Sequence, residues 1–364
     1  SAASDVYKRQ TEDLRELVQE AHKRGMKIVM DAVFNHTGRE FFAFEDIMEK
    51  GEKSKYLDWY YIEKFPLESE RGEIPNYKCF GYYGGMPKLN LKNPEVEKFF
   101  TDVACYWIKE CDIDGWRMDV GDEISHYFWK NFRRAVKAVK KDMLIIGEIW
   151  HYAGDFLEGD EWDTVMNYPF YLNLIDLLAD EKINVSQFIQ NLGYLKGRLN
   201  KKCYPLMWNL IDSHDTARFL HLCNDNKKKQ HLAAAFQLLL PGMPMIYYGD
   251  EFAMPGANDP DCRRGMYWDE EYQDKEMFEW YKQLLKVRKN HACIVEGEPM
   301  EIAARDEEET IVLIRKNGEE TLALIFNCSS SARVFNEYAQ KYDLLRENPF
   351  DGKIEGLDAA VIVL

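Results

Sequence analysis

From Thr11 the apolar positions Leu14, Leu17, Val18 and Ala21 recur at a helical period, with Thr11 as a cap and Gly25 as a stop, which predicts a helix through Arg24. An apolar run from Lys27 to Phe34 follows and predicts a buried strand. The alternation then repeats. Asn93-Pro94 opens a helix carrying Phe99, Phe100, Val103 and Trp107, and a strand runs from Asp114 to Val120. Ser125 begins a helix with Phe128, Phe132, Val136 and Val139 at helical spacing, and Met143 to Trp150 is the next strand. A short strand near Thr164 to Asn167 precedes helical segments up to about Lys201. A strand is expected from Leu206 to Ser213, a helix from Lys227 to Leu240, a strand from Met245 to Gly249 and a last long helix from Glu271 to Lys289.

Strands alternating with helices predict a parallel sheet with right-handed crossovers. GWRMDV and LIIGEIW are apolar on both faces, as buried parallel strands are. Six strands are counted where a closed (β/α)8 barrel needs eight. The expected fold is therefore α/β: a TIM barrel lacking its first two strands over residues 11–298, then a small C-terminal antiparallel β domain over 299–364. In that second part Ile311 to Ile314 and Leu322 to Phe326 read as strands joined by a Lys316-Asn317-Gly318 turn, with Val361 to Leu364 as the last strand.

Composition narrows the partners. A formal net charge of −16 disfavours nucleic acid and anionic membranes, and is indifferent to a neutral ligand. No apolar run approaches the roughly 18 to 20 residues of a membrane span. The eight cysteines (79, 105, 111, 203, 223, 262, 293 and 328) are scattered, with neither a C-x-x-C pair nor zinc-type spacing. Free thiols in a reducing, cytoplasmic compartment are the reading preferred. Aromatic residues reach 14%, a share that a large core mostly accounts for, although flat aromatic faces also suit a sugar-binding cleft.

The chemistry gathers at strand ends, the face on which barrel active sites form. DAVFNH, with Asp31, Asn35 and His36, closes the first strand; GWRMDV places Arg117 and Asp119 two apart, on one side of the second. GEIWH carries Glu148, and DSHD carries His214 and Asp215. Any one of these alone reads more readily as a structural ion pair or a satisfied polar residue than as a catalytic group. Four strand ends delivering ionisable groups are hard to explain by stability, because buried charge is costly. Paired carboxylates with an arginine and histidines suit glycoside hydrolysis, in which one attacks the anomeric carbon and the other protonates the leaving oxygen. A zinc site is the competing chemistry, and the histidines lack its spacing.

In this order, the four segments resemble the signature regions of the α-amylase superfamily, glycoside hydrolase family 13. MPKLN at Met86 to Asn90, VMNYPF at Val165 to Phe170, and YYGDE followed by DPDCRR at Asp259 to Arg264 resemble the neopullulanase, cyclomaltodextrinase and maltogenic amylase group. The likeness covers Thr11 to about Leu285. It implies Asp119 as nucleophile, Glu148 as general acid and then base, and Asp215 as the residue that favours the distorted, oxocarbenium-like transition state. Arg117 would keep Asp119 ionised. His36, His214, Asp259 and Arg263 would contact the sugar before the cleaved bond, and Trp150 would stack on the sugar beyond it. Tyr77 and Phe80 are weaker stacking candidates. Glu123, where many α-amylases carry histidine, would serve acceptor binding and transglycosylation.

The resemblance implies α-glucan oligosaccharides as substrates, no required cofactor, and a homodimer for the full-length protein. Calcium is the one metal it raises: Asn35 matches a ligand of the usual site, and the other ligands are not evident. Residues 1–10, SAASDVYKRQ, match nothing in the family and read as a foreign leader. An open remnant of a barrel exposes unpaired edges, so the chain by itself is expected to be unstable or inactive. An α-glucosidase, an ordinary α-amylase, or a non-catalytic sugar-binding homologue are the alternatives. MPKLN and Glu123 weigh against the first two, and the three carboxylates against the last.

Overall fold

The computed structural model describes residues 11–68 and 75–364, which leaves the predicted leader outside the described residues. They form two compact units, one of residues up to Ile149 with Ala153–Val165, the other of Trp150–Tyr152 with Met166–Leu364.

The first unit is built from β1 (Val29–Ala32), β2 (Gly115–Met118), β3 (Leu144–Gly147) and β4 (Thr164–Val165), a parallel sheet in that order. Its helices are α1 (Thr11–Lys23), α2 (Phe42–Lys50), α3 (Pro94–Cys111) and α4 (His126–Val139). The start signals act as their chemistry requires: Asn93 accepts from the Glu95 N–H ahead of α3, and Ser125 from the Phe128 N–H ahead of α4. Helix α2 was not foreseen. Its N-cap is Phe41, which makes no side-chain cap bond, and its apolar face joins an aromatic cluster with Tyr60 and Tyr77. At the strands' N-terminal ends Asp114 binds the Ile28 N–H at 2.9 Å and His22 at 2.7 Å. Burial works against its charge, but these bonds and two lysines outweigh it and hold the carboxyl well below the usual range.

One side chain ties the strand ends of this unit. Trp162 is 1% exposed, and a Cβ on Gly147 would lie 2.2 Å from its ring, one on Gly121 2.6 Å. No side chain larger than hydrogen fits at either position, and these two glycines flank the segments carrying Asp119 and Glu148.

The second unit holds α5 (Tyr168–Leu174), continued by a π-helical turn over Ile175–Ala179, then α6 (Val185–Arg198), β5 (Trp208–Leu210), α7 (Phe219–Leu222), α8 (Lys227–Leu239), β6 (Met243–Met245) and α9 (Lys275–Asn290). Strands β5 and β6 pair in parallel. The sixth strand therefore lies two residues earlier than expected, and the predicted run to Gly249 instead turns. Strand β5 offers only three residues to pair with, and the chain after it closes a turn from Tyr247 to Asp250. Helix α9 starts at Lys275, later than expected, because Asp274 caps it through the Met277 N–H. Helix α8 is buried along nearly its whole length, with Phe236 stacked on Phe326 at 4.2 Å.

Residues 298–363 of this unit form β7 (Glu298–Arg305), β8 (Thr310–Asn317), β9 (Glu320–Asn327), β10 (Arg333–Val334), β11 (Tyr342–Asp343), β12 (Asn348–Pro349), β13 (Lys353–Ile354) and β14 (Asp358–Val363). Six of them make an antiparallel sheet in the order β12-β11-β14-β9-β8-β7. Gly318 supplies the positive φ of 61° that the β8–β9 turn needs. Strand β7 escaped the sequence reading because it is an exposed edge with no alternation of buried positions.

Gly147→Ala is expected to cost about 1–3 kcal/mol of stability by forcing Trp162 from its seat. Gly193→Ala in exposed helix α6, where a new Cβ meets nothing within 4 Å, is expected to gain about 0.5–1 kcal/mol. Denaturant unfolding of the two variants checks both signs, and equal effects would contradict the packing described.

Candidate active site

Strands β2 and β3 pair so that Met118 lies opposite Gly147. Asp119 and Glu148 are the next residues, so they leave neighbouring strands at the same level. Arg117 is opposite Asp31 of β1 on the other side. Its Nη1 donates to Asp119 Oδ1 at 2.7 Å and to Asp31 Oδ1 at 2.8 Å, and its Nη2 lies 2.9 Å from Glu148 Oε2. One guanidinium thus joins all three carboxylates.

The burial is uneven and chemically informative. Arg117 is 8% exposed and Glu148 4%, while the Asp119 side chain keeps 19% of its surface. Burial opposes the Arg117 charge, but Glu148, Asp31 and Asp119 outweigh it and push its pKa above the ordinary arginine value. The Arg117 cation thus lies directly against the Asp119 carboxylate. Glu148 Oε2 also accepts from the Val120 N–H at 2.9 Å. Val120 holds that position with a left-handed φ of 47°, a conformation that costs a β-branched residue about 1–3 kcal/mol and is tolerated mainly where function uses it.

His36 follows β1 and is 9% exposed, its ring stacked on Phe80 at 5.2 Å and 6°. Burial lowers its pKa against the opposing pull of Asp119 and Glu123, so the ring is a neutral hydrogen-bonding group at pH 7. Asn35 and Glu123 both meet the ammonium of Lys88, at 2.6 Å each. Lys88 was quoted within MPKLN without a role. Its partners are 53 and 35 residues away, beyond any local signal. Tyr77 is corrected as a stacking candidate: it is 2% exposed and its hydroxyl donates to Gly84 O, so its ring belongs to the core.

In the second unit Asp215 accepts from Arg263 Nη2 at 3.1 Å and lies 3.0 Å from His214 Nε2. Arg263 Nε reaches Asp259 Oδ1 and the His214 carbonyl, both at 2.9 Å. The four sequence-derived residues His214, Asp215, Asp259 and Arg263 therefore form one polar chain. Trp150 is 40% exposed, stacks on Tyr168 at 3.9 Å, and lines a cavity of about 360 Å³ with Tyr152, Asn173, Tyr194 and Arg198.

Sequence reasoning passed over a buried pair that underlies this polar chain. Asp212 and Asp250 are fully buried, and Arg218 Nη1, equally buried, donates to Asp250 Oδ1 at 3.1 Å. The Oδ2 of each aspartate meets no donor among the described residues. Burial raises both carboxyls; the neighbouring Asp250 charge raises Asp212 further, and Asp250 is pushed up to about 7. One proton shared between the two supplies the donor that is otherwise lacking. The signal was a carboxylate inside an apolar strand, three positions before Asp215.

A raised carboxyl pKa means that the folded state binds protons more tightly. Its contribution to stability is present below the ordinary value of 3.8 and lost as pH rises toward about 7. Asp212→Asn replaces the shared proton with a permanent amide donor. The variant's melting temperature is therefore expected to gain on the wild type as pH climbs above the ordinary carboxyl value of 3.8. A difference independent of pH would rule out the shared proton.

The family profile described as the α-amylase catalytic domain matches residues 9–272. The chain is 45% identical over 321 residues to a cyclomaltodextrinase of Geobacillus thermopakistaniensis (strain MAS1), covering 88% of this chain and 54% of the relative. It is 44% identical over 314 residues to neopullulanase 2 of Thermoactinomyces vulgaris, covering 86% and 53%. The chain thus spans about half the length of the curated relatives it matches. A solved cyclomaltodextrinase superposes with a TM-score of 0.91 at 37% identity, over 97% of this chain and 63% of that one. A cyclic α-maltosyl-(1→6)-maltose hydrolase from Arthrobacter globiformis, in complex with its cyclic tetrasaccharide, gives 0.86 at 32% identity, over 98% and 79%. The chain belongs to the α-amylase catalytic-domain family and carries that family's fold.

Proposed function

We propose that the protein is a retaining glycoside hydrolase that cleaves α-1,4-glucosidic bonds in maltodextrins, cyclodextrins or pullulan, with a capacity to transfer glycosyl groups. The observation that carries this reading is the single guanidinium of Arg117 shared by Asp119 and Glu148. Carboxylates on adjacent strands, tied to one small cation, suit the roughly 5–5.5 Å separation of retaining enzymes.

In this mechanism Asp119 attacks the anomeric carbon while Glu148 gives its proton to the departing glycosidic oxygen. Glu148, now ionised, takes a proton from water or from an acceptor hydroxyl. The oxygen so activated displaces Asp119 and restores the α configuration. Arg117 stabilises Asp119 as it leaves. Asp215 is assigned to the sugar hydroxyls of the oxocarbenium-like state, with His36, His214, Asp259 and Arg263 as further sugar contacts. Trp150, whose ring is exposed beside a cavity that Tyr152, Tyr194 and Arg198 also line, is assigned to stacking on a sugar beyond the cleavage point. These assignments draw on the family likeness.

The same reading divides the chain into a catalytic part over 11–298, whose parallel strands β1–β6 are six of the eight a closed barrel needs, and a β-sheet domain over 299–364. The assembled protein is read as a homodimer on the strength of the neopullulanase-group resemblance. An intracellular setting is supported by eight cysteines that are all free and by relatives named intracellular maltogenic amylase. Among the described residues no helix is long and apolar enough to cross a membrane.

Asp119→Asn is expected to lower kcat by at least about three orders of magnitude, as loss of a nucleophile does, while oligosaccharide binding survives. Calorimetric titration with maltoheptaose beside steady-state rates separates the two, and wild-type turnover in the variant would refute the assignment. Initial rates on β-cyclodextrin, pullulan and starch decide the substrate. The neopullulanase-like reading expects starch to be the slowest, and starch much the fastest would favour an ordinary α-amylase.

A further inference from the structure

We propose that the Lys88 ammonium is a built-in cation that does the work of a divalent metal between two active-site loops, and that it positions Glu123 to receive an acceptor sugar. The acceptor half rests on the hydrolase reading above.

Three oxygens converge on Lys88 Nζ: Asn35 Oδ1 and Glu123 Oε2 at 2.6 Å, and the Glu123 backbone carbonyl at 3.4 Å. An amide carbonyl, a carboxylate and a backbone carbonyl are the hard oxygen donors that calcium takes. Here they surround a group with three N–H donors and a single positive charge, which such a set satisfies without a metal. The Lys88 side chain is 21% exposed, so much of it is covered, and its ammonium donates to these oxygens. Among the described residues no group of three or more histidine, cysteine, aspartate and glutamate side chains could hold a metal ion. The calcium that the family resemblance raises does not fit this arrangement, because Asn35, the one residue matching its ligands, has its Oδ1 taken by the Lys88 ammonium at 2.6 Å.

The ammonium joins segments that carry chemistry. One is the loop after β1, where Asn35 precedes His36. Backbone bonds already lay the Lys88 segment along it, from Leu89 N–H to Asn35 O at 3.0 Å and from Thr37 N–H to Pro87 O at 3.1 Å. The other is the turn Gly121–Glu123, which follows the strained Val120 whose N–H holds Glu148. Lys88 thus cross-links the supports of His36 and of the acid–base carboxylate.

Glu123 is the group it aims. Its Oε2 takes the bond from Lys88 and a second from Asn35 Nδ2 at 3.2 Å. No bond to Oε1 is found among the described residues, and the side chain is 41% exposed. A cavity of about 320 Å³ lies alongside, lined by Tyr61, Lys88, Glu123 and Phe156 among others. A carboxylate with one oxygen anchored and the other open toward such a cavity can accept a hydrogen bond from a sugar hydroxyl and hold it in register. Without the ammonium only the longer Asn35 bond holds that carboxylate, and water competes better with the acceptor sugar.

Lys88→Met and Lys88→Arg test this in the protein. The readouts are the ratio of transfer to hydrolysis products, with maltotriose as donor and methyl α-glucoside as acceptor, and the melting temperature in EDTA and in calcium chloride. Wild type is expected to melt at the same temperature in both solutions. Lys88→Met should lower the transfer-to-hydrolysis ratio by at least about tenfold, since misplacement of a positioned group is costly, and Lys88→Arg should retain most of it. A wild-type melting temperature that falls in EDTA would overturn the built-in cation. An unchanged ratio in Lys88→Met, or equal loss in both variants, would overturn the positioning of Glu123. Wild type that turns over no α-glucan at all defeats the hydrolase reading and the acceptor half with it, while the EDTA comparison still decides the cation half.

Discussion

Arg117 is a buried cation placed among three carboxylates of one sheet, and the surrounding structure exists to keep it there. An unpaired guanidinium at that depth would cost several kcal/mol, and so would Glu148 without its partner. Asp119 and Glu148 leave adjacent strands at one level, and Asp31 faces Arg117 two residues below them, because β1, β2 and β3 pair in parallel without a slip. The register is held on one side by Trp162 against Gly147 and Gly121, and on the other by Asp114 at the opposite ends of the strands. A packing error at Gly147 therefore reaches Glu148, one position away.

The protein handles buried charge in three distinct ways. Arg117 neutralises carboxylates outright, and the expected nucleophile remains partly open to solvent. Asp212 and Asp250 lie fully buried beside Arg218, and burial raises both carboxyls. Lys88 draws amide, carboxylate and carbonyl oxygens onto one ammonium, and so cross-links loops without a metal. Each device follows from what the side chain can donate: a rigid fork, a single proton, or three rotatable N–H groups.

Much of this was legible in the sequence. Helices with polar caps and amphipathic faces, α3 and α4 above all, were readable because Asn93 and Ser125 announce them. The strands carrying Asp119 and Glu148 were readable from their unbroken apolar runs. What escaped depends on partners distant in sequence. Helix α2 forms because its rings find Tyr60 and Tyr77, not because its ends are marked. Strand β6 was misplaced because its extent is set by the three residues of β5, and β7 because an exposed edge has no alternation to read. At the site, Arg117 and Asp119 sit two apart, so their ion pair could be anticipated. The roles of Lys88, Asp212 and Asp250 arise only once chain segments 20 or more residues apart are brought together.

The proposed mechanism has Asp119 attack the sugar directly, beside a Glu148 tied to the same guanidinium. Proton NMR of the first product released from a maltodextrin or cyclodextrin, recorded before the anomers equilibrate, tests this most directly. Direct attack followed by hydrolysis predicts that the new reducing end appears first as the α anomer. The β anomer appearing first would mean that water attacked in a single step, and would contradict the arrangement on which the mechanism stands.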